Sequence, residues 1–380
     1  MSDHLPAEVS PTHPSGVPPL VTVVVPARNE ERTIEACLSS ILDQEERRLQ
    51  VIVVDGASTD RTAAIVETIA ASDPRIESIR FGAASIPGSL NAALRSAAGR
   101  WLVRVDAHST VPPDYVRKAV GLLETGRWGG VGGRKDAVAD TTVGRAIAAA
   151  LGSRLGVGNS IYHHGTRPQE VDHLPFGAYA TESLRRLGGW DQRLTANEDF
   201  ELDRRMRTTV GPLLFDPELR IAWRCRETIG DLFRQYVRYG RGKADVAILH
   251  LASLRPRHLA PPILVLTLAG AVAAAPALPT VAIAVVGAYA VGLAVAAAVE
   301  GRDLRGVATK ASLPAAFAAM HVGWGIGFLT GLVAATLGRG PSSRGSAPVP
   351  IGGPASPSHG MEKDRTQHAH GTDTTTRRIA

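Results

Sequence analysis

Three uncharged apolar runs toward the end of the chain constrain its fold more than any other feature. "PPILVLTLAGAVAAAPALP" (261–279), "TVAIAVVGAYAVGLAVAAAV" (280–299) and "LPAAFAAMHVGWGIGFLTGLVAATL" (313–337) contain no Asp, Glu, Lys or Arg. Each is near the ~20 apolar residues that span a bilayer. Three in succession, with hardly any polar face, argue against helices buried in a soluble core. The expected transmembrane region is therefore 261–337. Its second and third runs are joined by "EGRDLRGVATKAS", whose Arg302, Arg305 and Lys310 place that loop on the cytoplasmic side and the turn at Pro279 outside. A third crossing would carry the tail outside, against Arg339 and Arg344; the alternative is a re-entrant third segment.

Ahead of that region, residues 20–227 read as an α/β domain, with short apolar runs alternating with amphipathic stretches. "LVTVVVP" (20–26), "QVIVVD" (50–55), "RIESIRF" (75–81) and "WLVRVD" (101–106) are predicted strands. "RTIEACLSSILDQ", "TAAIVETIA" and "SLNAALRSAA" are predicted helices, the last stopped by Gly99. The polar clusters around Asn29 and Asp55 fall at strand ends, where open α/β sheets bind ligands. Residues 228–260 are expected to form an amphipathic interfacial helix region. The lead-in (1–19) and the tail (338–380) are expected to be disordered, the tail's His368 and His370 being solvated. The start lacks the charged and apolar segments of a signal peptide, so the first domain is expected in the cytoplasm.

The net charge of +6 over 380 residues is carried mostly by arginine, which thickens between Arg185 and Arg257. No run interleaves basic and aromatic residues as a nucleic-acid platform does, so a membrane surface or a phosphorylated substrate is the expected partner. The two cysteines, Cys37 and Cys225, have no metal-type spacing and suit a reducing compartment. "PARNEERT" contains no glycine, which excludes a G-x-G-x-x-G dinucleotide site.

Asp106 and His108 sit two apart at a strand tip, so their side chains point the same way. That suits a divalent cation, or a polar pair satisfied by a loop. Glu198 and Asp199 open "NEDFELDRRM", either as first-turn acids that compensate the helix dipole or as a catalytic carboxylate. "RQYVRYGRGK" (234–243) has the composition of a basic helix lying on anionic lipid.

Taken together, "VVVPARNEERTIEACLSSIL", "VIVVDGASTDRT", "VRVDAH", "GGWDQRLTANEDFELDRRMR" and "RQYVRYG" stand in the order found in inverting family-2 glycosyltransferases. They resemble most the membrane-bound, succinoglycan-type branch, over about residues 20–337. The resemblance implies an α/β GT-A (nucleotide-diphospho-sugar transferase, Rossmann-like) catalytic domain followed by a C-terminal transmembrane helical region. It implies that Pro26, Ala27, Arg28 and Glu30 hold uridine and ribose. Asp55 would reach the base, with Gly56 where a second acid often follows, and Asn91 would line the nucleotide pocket after "SIPGS". Asp106 and His108 would hold Mn²⁺ or Mg²⁺, imidazole favouring Mn²⁺. Asp199, beside Glu198, would be the general base, and Trp190 and Asp191 the acceptor platform, unless Trp190 is core. Gln235, Arg238 and Tyr239 would lie over the donor, and His173 on the acceptor side.

The expected reaction is inverting transfer of a hexose from a nucleotide sugar, UDP-glucose or a related UDP-hexose. The expected acceptor is a lipid-linked saccharide in exopolysaccharide or envelope glycan synthesis. The enzyme is expected in the cytoplasmic membrane, multi-pass, with its catalytic domain on the cytoplasmic side. The alternatives are a processive polysaccharide synthase and a catalytically silent membrane scaffold.

Overall fold

In a computed structural model, the chain is described over residues 19–345 and 347–351. Residues 1–18 of the lead-in, and His368 and His370 of the tail, lie outside these. Strand β1 (Val21–Ala27), helix α1 (Ile34–Leu42), β2 (Leu49–Asp55), α2 (Thr62–Ser72), β3 (Ile76–Arg80), α3 (Ile86–Ser96) and β4 (Trp101–Arg104) alternate along the chain. The four strands are parallel, in the order β3-β2-β1-β4. All seven residues of β2 are buried, because helices cover both faces of the sheet; this is why β1 and β2 read as unbroken apolar runs. Helix α3 starts three residues before the predicted Ser89. The Ser85 hydroxyl accepts the Gly88 N–H at 3.2 Å, and Pro87 sits in the first turn, where its missing N–H costs nothing.

Beyond β4 the sheet is mixed. Next come β5 (Ser109–Thr110), α4 (Tyr115–Glu124), β6 (Gly130–Val138), α5 (Thr142–Gly152), the single turn α6 (Arg154–Val157) and β7 (Gln169–Val171). They are followed by β8 (Ala178–Ala180), α7 (Thr181–Arg186), α8 (Glu198–Thr209) and β9 (Leu213–Arg224). Strand β8 lies antiparallel between β4 and β6, and β9 runs parallel to β6, with β5 and β7 against β9.

The last part is helical: α9 (Ile229–Leu249), α10 (Ala260–Ala274), α11 (Pro279–Glu300) and α12 (Val307–Thr336). Among the described residues, three stretches are long and apolar enough to cross a membrane: Pro256–Ala274, Pro279–Glu300 and Val307–Thr336. Ile263, Leu266, Ile283, Val291 and Val295 of α10 and α11 are exposed. An apolar surface of that kind marks membrane association.

Helix α12 differs from a lipid-facing span. Leu313, Ala316, Phe317 and Met320 are buried in the same cluster as Val23 of β1, Ile147 of α5 and Leu232 of α9. Further along, Gly323, Gly327 and Gly331 face the α9 backbone around Phe233, Val237 and Arg241. A Cβ at Gly327 would run into the Val237 carbonyl oxygen, so only glycine permits this approach. The third apolar run is thus partly catalytic-domain core, which composition alone does not reveal. The α9 region, expected to lie on lipid, instead has one face covered by α12. The tail also departs from expectation over its described part. Arg344 pairs with the buried Asp245 of α9 at 2.6 Å, and the Ile351 N–H donates to the Arg185 carbonyl at 2.9 Å. Residues 338–345 and 347–351 therefore return to the catalytic domain.

Candidate active site

A cavity of about 1740 Å³ opens where β1, β2 and β4 end, between the sheet, α8, α9 and the first turns of α10. Pro26 and Ala27 line it from the end of β1, Arg28 and Glu30 from the loop that follows, and Gly56 from just past β2. Strand ends of an α/β sheet leave loop backbone free to face a ligand, and this loop carries the expected nucleotide-holding residues. Asp106, His108, Glu198, Asp199, Gln235, Arg238 and Tyr239 line the same cavity.

At its floor, one guanidinium gathers three carboxylates. Arg104 is 4 % exposed. Its Nε donates to Asp106 at 2.9 Å, and its Nη1 to both Asp199 oxygens at 2.6 Å and to Glu198 at 3.2 Å. Burial works against its charge, yet Asp106, Asp199 and Glu198 hold it protonated well above the usual arginine range. Burial alone would raise Asp106, but Arg104, His108 and Lys135 bring it below the ordinary carboxylate value. Glu198 is pushed up, first by burial and then by the Asp199 charge. Alternation in "VRVDAH" places Arg104 on the side of Asp106 and His108; that was the available signal for a residue the motif reading passed over.

Asp199 is also fixed by the Trp190 indole N–H, 2.9 Å from its Oδ1. A carboxylate has about four lone-pair directions; Arg104 and Trp190 occupy three, leaving one for a cavity ligand. Trp190 is 1 % exposed, so it is core and no acceptor platform: its indole edge positions the carboxylate. Asp191 is fully buried and paired with Arg193 at 2.6 Å, which removes it from the platform too. Asn91 does not line the cavity. Its amide donates to the Trp190 carbonyl at 2.7 Å and accepts the Trp190 N–H at 2.8 Å, spending both ends on that strap. Asp55 is also turned away. Its carboxylate accepts the Ser58 N–H at 3.3 Å, so Gly56 forms the wall where a base contact was expected.

Asp106 and His108 both face the cavity, as the two-residue spacing required. The His108 Nδ1 lies 3.0 Å from Glu30 Oε1. A proton on Nδ1 toward that carboxylate leaves Nε2 as a lone pair, the arrangement that orients an imidazole for metal binding. Among the described residues no three His, Cys, Asp or Glu side chains converge as a metal cluster. A carboxylate plus an imidazole fits a divalent cation whose remaining ligands come from substrate and water.

The "RQYVRYG" stretch on α9 roofs the cavity. The Gln235 amide donates to the Tyr239 hydroxyl at 2.7 Å, while its carbonyl oxygen is buried without a partner. The Asn197 side chain, at φ 62° just before α8, donates to the Tyr239 carbonyl at 3.0 Å and joins roof to floor. His173 lines the cavity and holds Nδ1 2.8 Å from the buried Asp203, which also accepts from Tyr179 and the Leu174 N–H. Lys135, passed over in the sequence, stands over Trp223 at 3.6 Å and Phe176 at 4.9 Å, and burial pushes it down to about 8.

The Glycosyl transferase family 2 model matches residues 22–184. The chain is 30% identical over 243 residues to the succinoglycan biosynthesis protein ExoA of Rhizobium meliloti (strain 1021), 63% of this chain and 73% of that protein. To the succinoglycan biosynthesis protein ExoO of the same strain it is 40% identical over 103 residues, 27% of this chain and 29% of that one. Among solved structures, the mannosyltransferase PcManGT from Pyrobaculum calidifontis, in complex with GDP-Man and Mn²⁺, is similar in fold. The TM-score is 0.50 at 24% identity, covering 88% of this chain and 90% of that chain. With its mixed sheet and strand-end carboxylates, the chain belongs to glycosyltransferase family 2, has the GT-A fold and is a glycosyltransferase.

Proposed function

We propose that the enzyme inverts the anomeric centre of a UDP-hexose while transferring it to a lipid-linked saccharide, in exopolysaccharide or envelope glycan assembly. One observation carries this reading. Asp199 faces the cavity with one lone pair open, and the cavity continues past it onto Ala260 and Pro261 of α10 and Trp324 of α12. Donor and membrane-borne acceptor would meet from opposite ends. The succinoglycan relatives support the glycan class.

In the proposed reaction the acceptor hydroxyl attacks the anomeric carbon opposite the leaving diphosphate. Asp199 takes the hydroxyl proton as the new C–O bond forms and the bond to the diphosphate breaks. Arg104 and the Trp190 N–H hold that carboxylate in place. A Mn²⁺ or Mg²⁺ ion held by Asp106 and Nε2 of His108 would offset diphosphate charge; the neighbour bound to GDP-Man and Mn²⁺ supports such an ion. Gln235, Arg238 and Tyr239 cover the donor from above.

The topology follows the same reading. The tail touches the catalytic domain through Arg344 and Ile351, and α12 shares that domain's core. Helices α10 and α11 then form a membrane hairpin, α12 rests at the interface, and catalytic domain and tail share the cytoplasmic side.

The test is a donor screen with the protein in lipid nanodiscs and a polyprenyl-diphosphoryl sugar as acceptor. The expected result is UDP release coupled to one or a few additions. GDP release alone would overturn the donor, and long polymer from UDP-sugar without lipid acceptor would favour a processive synthase.

A further inference from the structure

At the membrane end of the cavity stands a cluster of positive charge that the transfer chemistry above leaves unused. Lys243 of α9 is only 4 % exposed. Its ammonium donates to the Ser253 carbonyl at 3.1 Å and lies 3.7 Å from the Phe200 ring. Among the described residues no carboxylate stands within ion-pair distance of it. Arg257 lines the cavity beside it and likewise forms no ion pair. Arg255 and Arg204 add positive charge nearby, and the facing acid Asp172 is already shared by Arg207 at 2.9 Å and Arg255 at 3.6 Å. Burial, then Arg257, pushes Lys243 down to about 7. A buried cation without a counter-ion is costly, and its usual remedy is an anion.

The position says which anion. Phe200 follows Asp199 in sequence, so Lys243 sits on the ring of the residue next to the proposed base. The same cavity is walled by Ala260 and Pro261 of α10, whose apolar surface is exposed, and by Trp324 of α12. An anion held here would sit at the boundary between the polar cavity and lipid, with space toward Asp199 for the sugar it carries. We propose that Lys243 and Arg257 bind the diphosphate of a polyprenyl-linked acceptor and hold its first sugar toward Asp199. The proposal rests on the lipid-acceptor reading above and locates that acceptor's charged group.

The test measures binding, not turnover. Full-length protein in nanodiscs is titrated with polyprenyl diphosphate, with inorganic pyrophosphate and, separately, with UDP. The expected result is lipid binding that weakens tenfold or more in Lys243→Gln and in Arg257→Gln. Lys243→Arg should retain it, and UDP affinity should change less than twofold throughout. Arg257 is exposed, so its variant reports even where Lys243→Gln fails to fold. Unchanged lipid affinity in both Gln variants would overturn the proposal. A parallel loss of UDP affinity would assign the cluster to the donor and overturn it as well. Pyrophosphate bound as tightly as the lipid would show a free-anion site instead. Lipid binding that depends on Lys243 and Arg257, with no sugar transferred to a polyprenyl-diphosphoryl sugar, would uphold the site and overturn the transferase reading of its acceptor.

Discussion

Arg104→Met isolates the electrostatic centre of the site, since Met approximates the side-chain length and keeps none of the charge. Arg104 bonds three carboxylates, Asp106, Asp199 and Glu198, from a position 4 % exposed. Removing one partner of a buried ion pair costs about 3–5 kcal/mol, because the other charge is left uncompensated. For a domain of this size that is a Tm loss of roughly 10 °C. A unit charge at ~4 Å in an effective dielectric of ~20 contributes ~4 kcal/mol. Its loss leaves burial unopposed at Asp106 and Glu198, which raises both.

The pH dependences of stability and activity then move apart. In the natural protein, Asp106 is held below its ordinary value, so its stabilisation is present at neutral pH and lost as pH falls through the folded value. Without Arg104, burial dominates at Asp106 and Glu198, and folding then favours their protonated forms. The variant's stability deficit should therefore grow as pH rises through the carboxylate range, from about 4 to 7, while the acid limb of its transfer activity moves to higher pH. Thermal unfolding in nanodiscs, paired with a transfer assay across that range, checks both; Arg104→Lys should recover part of each. A Tm deficit that does not change with pH, with an unmoved activity profile, would show that Arg104 acts through packing alone.

Other outcomes follow from single contacts. Asp199→Asn should lower transfer by about 10²–10⁴-fold and leave donor affinity, read by calorimetry, largely intact. Activity should vanish in EDTA and return better with Mn²⁺ than with Mg²⁺, and His108→Asp should tilt that preference toward Mg²⁺, as metal titrations of both proteins will show. Gly327→Val forces a side chain against the Val237 carbonyl; it should displace α9 and reduce donor and acceptor turnover together, with a lower Tm. A cysteine placed at residue 348 should react with a membrane-impermeant maleimide only from the side exposing the catalytic domain; labelling from the other side would restore a third crossing.

Much of this was visible in the residues themselves. Continuous apolar runs marked β1 and β2, because parallel strands covered on both faces need no alternation. The two-residue spacing of Asp106 and His108 gave their common direction, and the acids at Glu198 and Asp199 marked the start of α8. The errors share a cause. Asn91 and Trp190 stand 99 positions apart, and nothing local tells a side chain that it will clamp a distant backbone instead of lining a pocket. Trp190 is the sharper case, since an indole can present its face to a sugar or its N–H to a carboxylate, and only tertiary burial selects the edge. Asp55 was diverted by a turn, through Ser58. The Ala- and Gly-rich face of α12 looked like lipid-facing surface because close helix packing and a bilayer call for the same small, uncharged residues.

The dependence of the catalytic core on α12 reaches back to the birth of the chain. Phe317 and Met320 fill space beside Ile147 and Leu232, yet they are translated long after β9 is complete. At about 5–20 residues per second, a nascent chain spends several seconds or more with that surface open. On the proposed topology, the α10–α11 hairpin inserts during this interval and brings α12 back to the waiting domain. On that topology, membrane targeting becomes a folding step for this enzyme. A ribosome that stops between α11 and α12 releases a domain with an unfilled apolar groove, material for proteolysis instead of a smaller active transferase.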